Sequence, residues 1–106
     1  MARALIKVAS SARRGDVVEI STLIAHPMET GFRAGADGQR LPRSLIRRLS
    51  CEYNGALVFS AEFFAAVAAN PYCAFYTVAT ESGTLRFTWQ GDDGFAQTET
   101  VAITVT

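Results

Sequence analysis

Apolar and polar residues alternate with a period of two along most of this chain, and turn residues interrupt the alternation about every dozen residues. The clearest stretch is 17–24, in which the even-numbered residues from Val18 to Ile24 fall on one side. A strand with one buried face has this pattern, because successive side chains of a strand point to opposite faces. About seven such stretches and almost no helical periodicity predict an all-β fold, an immunoglobulin-like antiparallel β-sandwich of about seven strands.

Turn signals mark where these strands end. The pair "NG" at 54–55 is the strongest short hairpin signal, and "RRGD" and "GDDG" predict two further turns. Pro27 has no N–H for a strand ladder, so we expect the second strand to stop at His26. A polar connection follows from 27 to about 44. We interpret "FAAVAA" at 64–69 as a crossover with about one helical turn, because it is too short for an independent helix.

Apolar residues of the strands predict a core between two packed sheets. This core is expected to include Leu49, Leu57, Phe59, Phe87, Trp89, Ile103 and Val105. One strand has two apolar sides, of which the first carries Tyr72 and Tyr76. The second side carries Cys73 and Phe75. The two tyrosines therefore face either a protein partner or the core, and the pattern leaves both arrangements open.

Length and composition bound the classes of protein to which the chain can belong. Its 106 residues, 1–106, are expected to form a single domain, and a hydrophobic content of 49% is sufficient for a core. A formal net charge of zero argues against a nucleic-acid binder, which must neutralise phosphates. No apolar run approaches the ~20 residues of a membrane span. The residues after Met1 pass directly into a strand pattern, which leaves no room for a signal peptide and by itself indicates a cytoplasmic protein.

Residues that could carry chemistry are few. His26 is the one histidine and therefore the one candidate base for a hydrolase triad, and no nucleophile-elbow sequence accompanies it. Cys51 and Cys73 match no metal or redox spacing, so they are either two free core thiols or a disulfide. We expect no catalytic residue, no metal and no cofactor. Residue chemistry alone indicates a binding or scaffold domain that is not an enzyme.

Five arginines fall within sixteen positions of the polar connection and its continuation: Arg33, Arg40, Arg43, Arg47 and Arg48. They form either a solvated loop with long side chains or a docking rim, because arginine is enriched at protein interfaces.

The stretch "LIAHPMETGFR", followed by "DGQRLP" and "ANPYCAF", resembles the SoxZ family of thiosulfate-oxidation carrier proteins. The similarity runs from about Ile6 to the end of the chain, and the element "HPMETG" at 26–31 is its most specific part. The resemblance implies an immunoglobulin-like sandwich that pairs with a second subunit, SoxY. It also implies that SoxY carries the thiosulfate-derived cargo on a cysteine in a glycine-rich C-terminal arm. This chain ends in "AITVT", without such an arm, and is therefore expected to be the scaffold half of a heterodimer.

The resemblance further implies a periplasmic location, which the chain would reach together with a signal-bearing partner, and transient docking of sulfur-oxidising enzymes on the complex. The alternative is an immunoglobulin-like binding or adhesion module unrelated to sulfur metabolism. Under either interpretation we expect no nucleic acid and no membrane among its partners.

The loop "HPMETG" and the two tyrosines are the candidate surface for the SoxY-like partner. Pro27 has a fixed φ, and Gly31 is expected to adopt a positive φ, so the residues between them should be held stiffly. Met28 is apolar and adaptable, which suits a surface that accommodates a partner. The alternative is a loop that is rigid only for architectural reasons. The candidate partner-binding residues are His26, Pro27, Met28, Glu29, Thr30, Gly31, Arg33, Tyr72 and Tyr76.

Overall fold

A computed structural model describes residues 2–106 as a sandwich of two β-sheets. Its eight strands are β1 (Ala4–Lys7), β2 (Ser11–Ala12), β3 (Val17–Ile24), β4 (Ile46–Tyr53), β5 (Ala56–Glu62), β6 (Tyr72–Val78), β7 (Gly83–Gly91) and β8 (Ala96–Val105). One sheet has the order β1-β3-β6 and the other the order β2-β8-β7-β4-β5. All strand pairs are antiparallel except β2 with β8. The predicted fold class is confirmed, and the strand beyond the expected seven is β2, which is too short to show alternation.

The core lies between the sheets and includes the expected Leu49, Phe87, Trp89 and Ile103, and the expected Phe59 and Val105 are partly buried against it. Phe87 and Trp89 of β7 are fully buried, and the inward side of β3 is buried from Val18 to Ile24 as predicted. Phe59 of β5 stacks on Phe75 of β6 with 4.0 Å between the ring centroids. This stacked pair joins one sheet to the other, so the inward side of β6 is the side of Phe75.

Leu57 is the one expected core residue that the structure places outside the core. Its side chain is 57% exposed. Cys51 of β4 pairs with Phe59, but the next residue, Glu52, pairs with Leu57, so Val58 is an extra residue in β5. A bulge of one residue moves every side chain beyond it to the opposite face. Leu57 therefore shares the solvent face with Glu52, and its assignment to the core is wrong.

The predicted turns are present with small differences. Asn54 and Gly55 have φ values of 49° and 86°, as the hairpin turn requires, and they connect β4 directly to β5. The segment 64–69 forms a single turn, in which the N–H of Val67 donates to the carbonyl of Phe64, and no helix. Strand β3 ends at Ile24, two residues before His26.

Three connections meet at one end of the sandwich, because β3, β5 and β7 end there while β4, β6 and β8 begin there. These connections are residues 25–45, 63–71 and 92–95. We call this end of the molecule the loop end. It contains the "HPMETG" element and three of the five clustered arginines.

Candidate functional site

The "HPMETG" loop leaves β3 and is fastened to the beginning of β6. Asn70 does this with two hydrogen bonds: its side-chain oxygen accepts from the N–H of His26 at 2.9 Å, and its own N–H donates to the carbonyl of His26 at 2.7 Å. Asn70 has a φ of 54°, a left-handed conformation that asparagine tolerates better than most residues. The Asn-Pro pair thus positions the loop relative to Tyr72, the next residue of the chain after Pro71.

The His26 side chain is a buried structural group and is only 7% exposed. Its Nδ1 accepts a hydrogen bond from the N–H of Met28 at 3.0 Å, which requires an unprotonated Nδ1. Its ring packs edge-to-face on Phe95, with 5.2 Å between centroids. Burial lowers the pKa of the imidazole, and the negative charge of Asp92 opposes this only in part. His26 therefore stabilises its own loop through this hydrogen bond and this ring contact.

Met28 is a core residue, which corrects the expectation that it lies on the surface. Its side chain is 4% exposed, and its sulfur accepts the N–H of Ile46 at 3.3 Å. Met28 also has a φ of 51°, an unusual value for a residue other than glycine. Its adaptable side chain therefore fills the space beneath the loop and not a space between proteins. Met28→Ala is therefore expected to destabilise the fold, as truncation of a buried side chain does.

The second half of the loop is tied to the residues before β4. Glu29 and Ser44 exchange two backbone hydrogen bonds, each of 2.8 Å. Gly31 has the predicted positive φ, 89°, and a Cβ at this position would lie 3.1 Å from the Cβ of Arg43. Thr30 accepts the N–H of Phe32 with its hydroxyl at 3.3 Å. The conformation of the loop is therefore fixed by its own chain.

Glu29 and Arg33 form an ion pair on the outside of this loop, with 2.6 Å between the charged atoms. The hydrogen bond donated by Arg33 lowers the pKa of the Glu29 carboxyl. Pro27 and Arg33 are exposed, so both remain available to a partner.

Asp92, in the turn between β7 and β8, binds the end of the connection 25–45 and the beginning of β4. Its carboxylate accepts the N–H of Leu45 at 3.0 Å and pairs with Arg43 at 3.2 Å and Arg47 at 3.3 Å. Burial raises the pKa of this carboxyl, but the Leu45 hydrogen bond and the two guanidiniums outweigh burial and leave the pKa below its ordinary value. The local sequence pattern indicates only a tight turn at Asp92, because its partners lie more than 40 residues away in the chain.

The remaining arginines of the cluster, Arg40 and Arg48, form no ion pair within residues 2–106. Arg40 lies over the ring of the exposed Phe32, 5.8 Å from its centroid, and Arg48 makes no salt bridge within residues 2–106. Three of the five arginines therefore pair with carboxylates of the chain itself. A docking role for the five arginines stays a prediction.

Tyr72 and Tyr76 lie on the outer face of the three-stranded sheet, where each is 64% exposed. The alternative that they face the core is therefore wrong. The Tyr72 hydroxyl donates to Ser21 and the Tyr76 hydroxyl donates to Glu19, each at 3.1 Å, so both rings lie across β3. The carboxylate of Glu19 raises the pKa of Tyr76 through this hydrogen bond. A groove of about 820 Å³ beside Tyr72 is lined by β1, the two residues after it, and β3.

The predicted site residues thus fall into two groups that meet at one point. His26 to Gly31 and Arg33 belong to the loop end, and Tyr72 follows the Asn70 anchor directly. Tyr76 lies four residues further along β6, about 13 Å away at the rise of a strand. Three further apolar side chains on the same outer face are exposed, namely Leu5, Val17 and Val78.

Both cysteines are free, which decides between the two alternatives for them. Cys51 is fully buried, and burial raises the pKa of its thiol to about 12. Cys73 is partly buried, and its pKa is raised for the same reason. A thiolate is the reactive form of cysteine, so neither thiol is prepared for nucleophilic attack.

Residues 2–106 contain neither a metal-binding cluster nor a helix that could span a membrane. Within this range, histidines, cysteines and carboxylates nowhere gather in the groups of three or more that could hold a metal ion. In the same range, no helix has the length and apolarity needed to span a membrane.

Residues 6–102 match a protein-family model that is described as sulphur oxidation protein SoxZ. No curated protein matches the chain by sequence.

Solved structures with the same fold are related only distantly in sequence. A superoxide reductase (neelaredoxin) from Ignicoccus hospitalis aligns with a TM-score of 0.76 and 15% identity, over 99% of this chain and 82% of that one. The sulfur carrier protein SoxY from Chlorobium limicola f thiosulfatophilum aligns with a TM-score of 0.68 and 13% identity, over 96% of this chain and 74% of that one. At such identities the alignments show a shared fold and nothing more.

Proposed function

The chain belongs to the SoxZ family of sulphur oxidation proteins, and we propose that it is the non-catalytic scaffold subunit of a sulfur-compound carrier. In this role it forms a heterodimer with a SoxY-like subunit, and the partner holds the thiosulfate-derived cargo on its own cysteine. The family match favours this function over an adhesion module unrelated to sulfur. Sulfur-oxidising enzymes would then dock transiently on the complex and not on this chain alone.

The observation that carries the proposal is the exposed apolar face of the three-stranded sheet. Tyr72 and Tyr76 present two large aromatic rings to solvent, and Val17 adds aliphatic surface beside them. Aromatic residues are enriched at protein interfaces, because they bury a large area at a small entropic cost. This face adjoins the "HPMETG" loop at Tyr72, so a single partner would contact both.

The thiols support the assignment of the cargo to the partner. A cysteine that accepts and releases sulfur must be accessible and must ionise near neutral pH. Cys51 is fully buried and has a pKa of about 12, and the pKa of Cys73 is raised as well. A carrier cysteine on a second chain is consistent with these environments.

Co-expression with a SoxY-like subunit tests the proposed pairing. We expect the two chains to co-purify as a heterodimer, and we expect Tyr76→Ala to weaken the pairing at least tenfold while the monomer stays folded. Leu57→Ala is the matched control, because Leu57 is similarly exposed but lies on the other sheet. Equal affinities of the two variants and the parent, measured by calorimetry, would argue against this face. Failure of the parent to pair at all would refute the heterodimer.

The periplasm is the compartment that we propose for the complex. Export together with a signal-bearing SoxY-like subunit predicts that this chain enters the periplasmic fraction only when that subunit is co-expressed. Fractionation of cells with and without the partner tests this, and accumulation in the cytoplasm in both cases would contradict it.

A further inference from the structure

Strand β6 is an open edge of the three-stranded sheet, since β3 is its one neighbour in the order β1-β3-β6. Hydrogen bonds at both ends of the β3–β6 pair fix which backbone groups face β3. The N–H of Ile24 donates to the carbonyl of Pro71, and the N–H of Ala79 donates to the carbonyl of Asp16. In an antiparallel pair, bonded residues alternate with residues whose backbone groups point away. The odd-numbered residues of β6 therefore bond to β3, and the even-numbered residues face the open edge.

Four N–H groups and four carbonyl groups consequently line this edge at intervals of two residues. They belong to Tyr72, Ala74, Tyr76 and Val78. No hydrogen bond within residues 2–106 uses the backbone of these four residues. Over seven residues the edge is about 20 Å long, enough for a full strand of another protein.

The edge also lacks the features by which proteins prevent strand pairing. Such features are lysines and other charges, prolines and bulges within an edge strand. The sequence of β6, "YCAFYTV", contains no charged residue and no proline, and its register with β3 is unbroken over residues 72–78. By comparison β5, an edge of the other sheet, carries a bulge and ends in Glu62. A long and uncharged edge without a bulge indicates a strand-pairing site.

We propose that a strand of the SoxY-like subunit pairs with β6 and extends the three-stranded sheet across the heterodimer. This inference rests on the proposed function and adds how the partner is held: by main-chain hydrogen bonds at the edge of β6, beside the outer face on which Tyr72 and Tyr76 lie. Two observations indicate that the strand that pairs with β6 belongs to the SoxY-like subunit. The SoxY structure aligns over 96% of this chain, so a SoxY-like partner is itself a β-sandwich with edge strands to offer. The edge is also continuous with the exposed tyrosine face that the partner is proposed to cover.

Ala74 offers a sharp test, because its N–H faces the edge and its side chain is exposed. Ala74→Pro removes this one donor without removing a bond between β3 and β6, since proline is tolerated on edge strands where the N–H faces solvent. Ala74→Val is the matched control: it adds a side chain of similar size and keeps the N–H. We expect Ala74→Pro to bind the SoxY-like subunit at least tenfold more weakly than Ala74→Val, with both monomers equally folded by circular dichroism. Equal affinities would overturn the proposal even if the heterodimer itself forms.

Amide hydrogen exchange tests the same inference without any substitution. In the isolated chain the amides of Cys73, Phe75 and Thr77 should be protected, whereas those of Ala74 and Tyr76 should exchange quickly. In the complex, exchange at Ala74 and Tyr76 should slow at least tenfold. Unchanged fast exchange in a stable complex would overturn strand pairing and leave the proposed function standing. Protection that grows with the concentration of the isolated chain would assign the edge to a second copy and would also overturn the proposal.

Discussion

Met28→Ala is expected to lower the free energy of unfolding by about 3 kcal/mol, although the residue lies in a loop. Truncation of a buried methionine to alanine typically costs about 2–5 kcal/mol, because the transfer energy is lost and a cavity remains. Met28 is 4% exposed, and its sulfur accepts the N–H of Ile46, so the truncation also leaves a buried donor unpaired. With a urea m-value of about 1.5 kcal/mol/M, a loss of 3 kcal/mol lowers the unfolding midpoint by about 2 M.

Two companion variants separate the causes of this loss. Met28→Leu preserves the buried volume and removes only the sulfur acceptor, so it should cost about 1–1.5 kcal/mol. Met28→Gly creates a cavity larger than that of alanine by one methyl group, but it removes the cost of a left-handed conformation, because Met28 has a φ of 51°. That cost is about 1 kcal/mol for a residue with a Cβ. Glycine should therefore be the more stable of the two truncations, the reverse of their usual order.

Urea unfolding monitored by the fluorescence of Trp89 measures all three variants. An alanine variant within about 1 kcal/mol of the parent would refute the burial of Met28. An alanine variant more stable than the glycine variant would refute the left-handed conformation.

Further predictions concern the core, the histidine and the thiols. Trp89→Ala should lower the free energy of unfolding in urea by about 3–5 kcal/mol, whereas Leu57→Ala should change it by no more than about 0.5 kcal/mol. A large effect of Leu57→Ala would contradict the bulge in β5. Because burial lowers the folded pKa of His26, the unfolded chain takes up a proton first on acidification. The contribution of His26 to stability is therefore complete above pH ~6.5 and falls as the pH drops below that value, and His26→Gln should remove this part of the slope between pH 7.5 and 5. Cys51 should resist alkylation in the native chain, and Cys73 should react slowly. Neither thiol should gain mass when the chain is incubated with thiosulfate and an oxidant. Rapid labelling of Cys51 would contradict its burial.

The sequence predicts those parts of the fold that depend on neighbouring residues. Alternation over 17–24 was enough to assign the buried side of β3, and the pair Asn54-Gly55 was enough to identify a hairpin, because both signals are local. Leu57 was assigned wrongly because a bulge changes the face of a strand without any mark in the alternation.

The candidate site was harder to predict for the same physical reason. The positive φ of Gly31 follows from its lack of a Cβ and was predicted correctly. The burial of Met28 depends on Ile46, and the role of Asp92 depends on Arg43, so both arise only when distant segments meet. Whether the loop and the tyrosines bind a partner depends on a second chain, and this stays a prediction.

The parallel pairing of β2 with β8 has a mechanical consequence. The chain leaves the first sheet after Lys7 and bonds to the last strand of the other sheet through Ser10, Ala12 and Arg14. Because these two segments run in the same direction, a force that pulls them apart along the chain acts parallel to both strands. The three backbone hydrogen bonds, of 2.9, 3.0 and 3.1 Å, then bear the load together and cannot open one after another. A domain clamped in this way resists being unravelled by a force on these two segments, which is what the proposed export of the folded heterodimer would require.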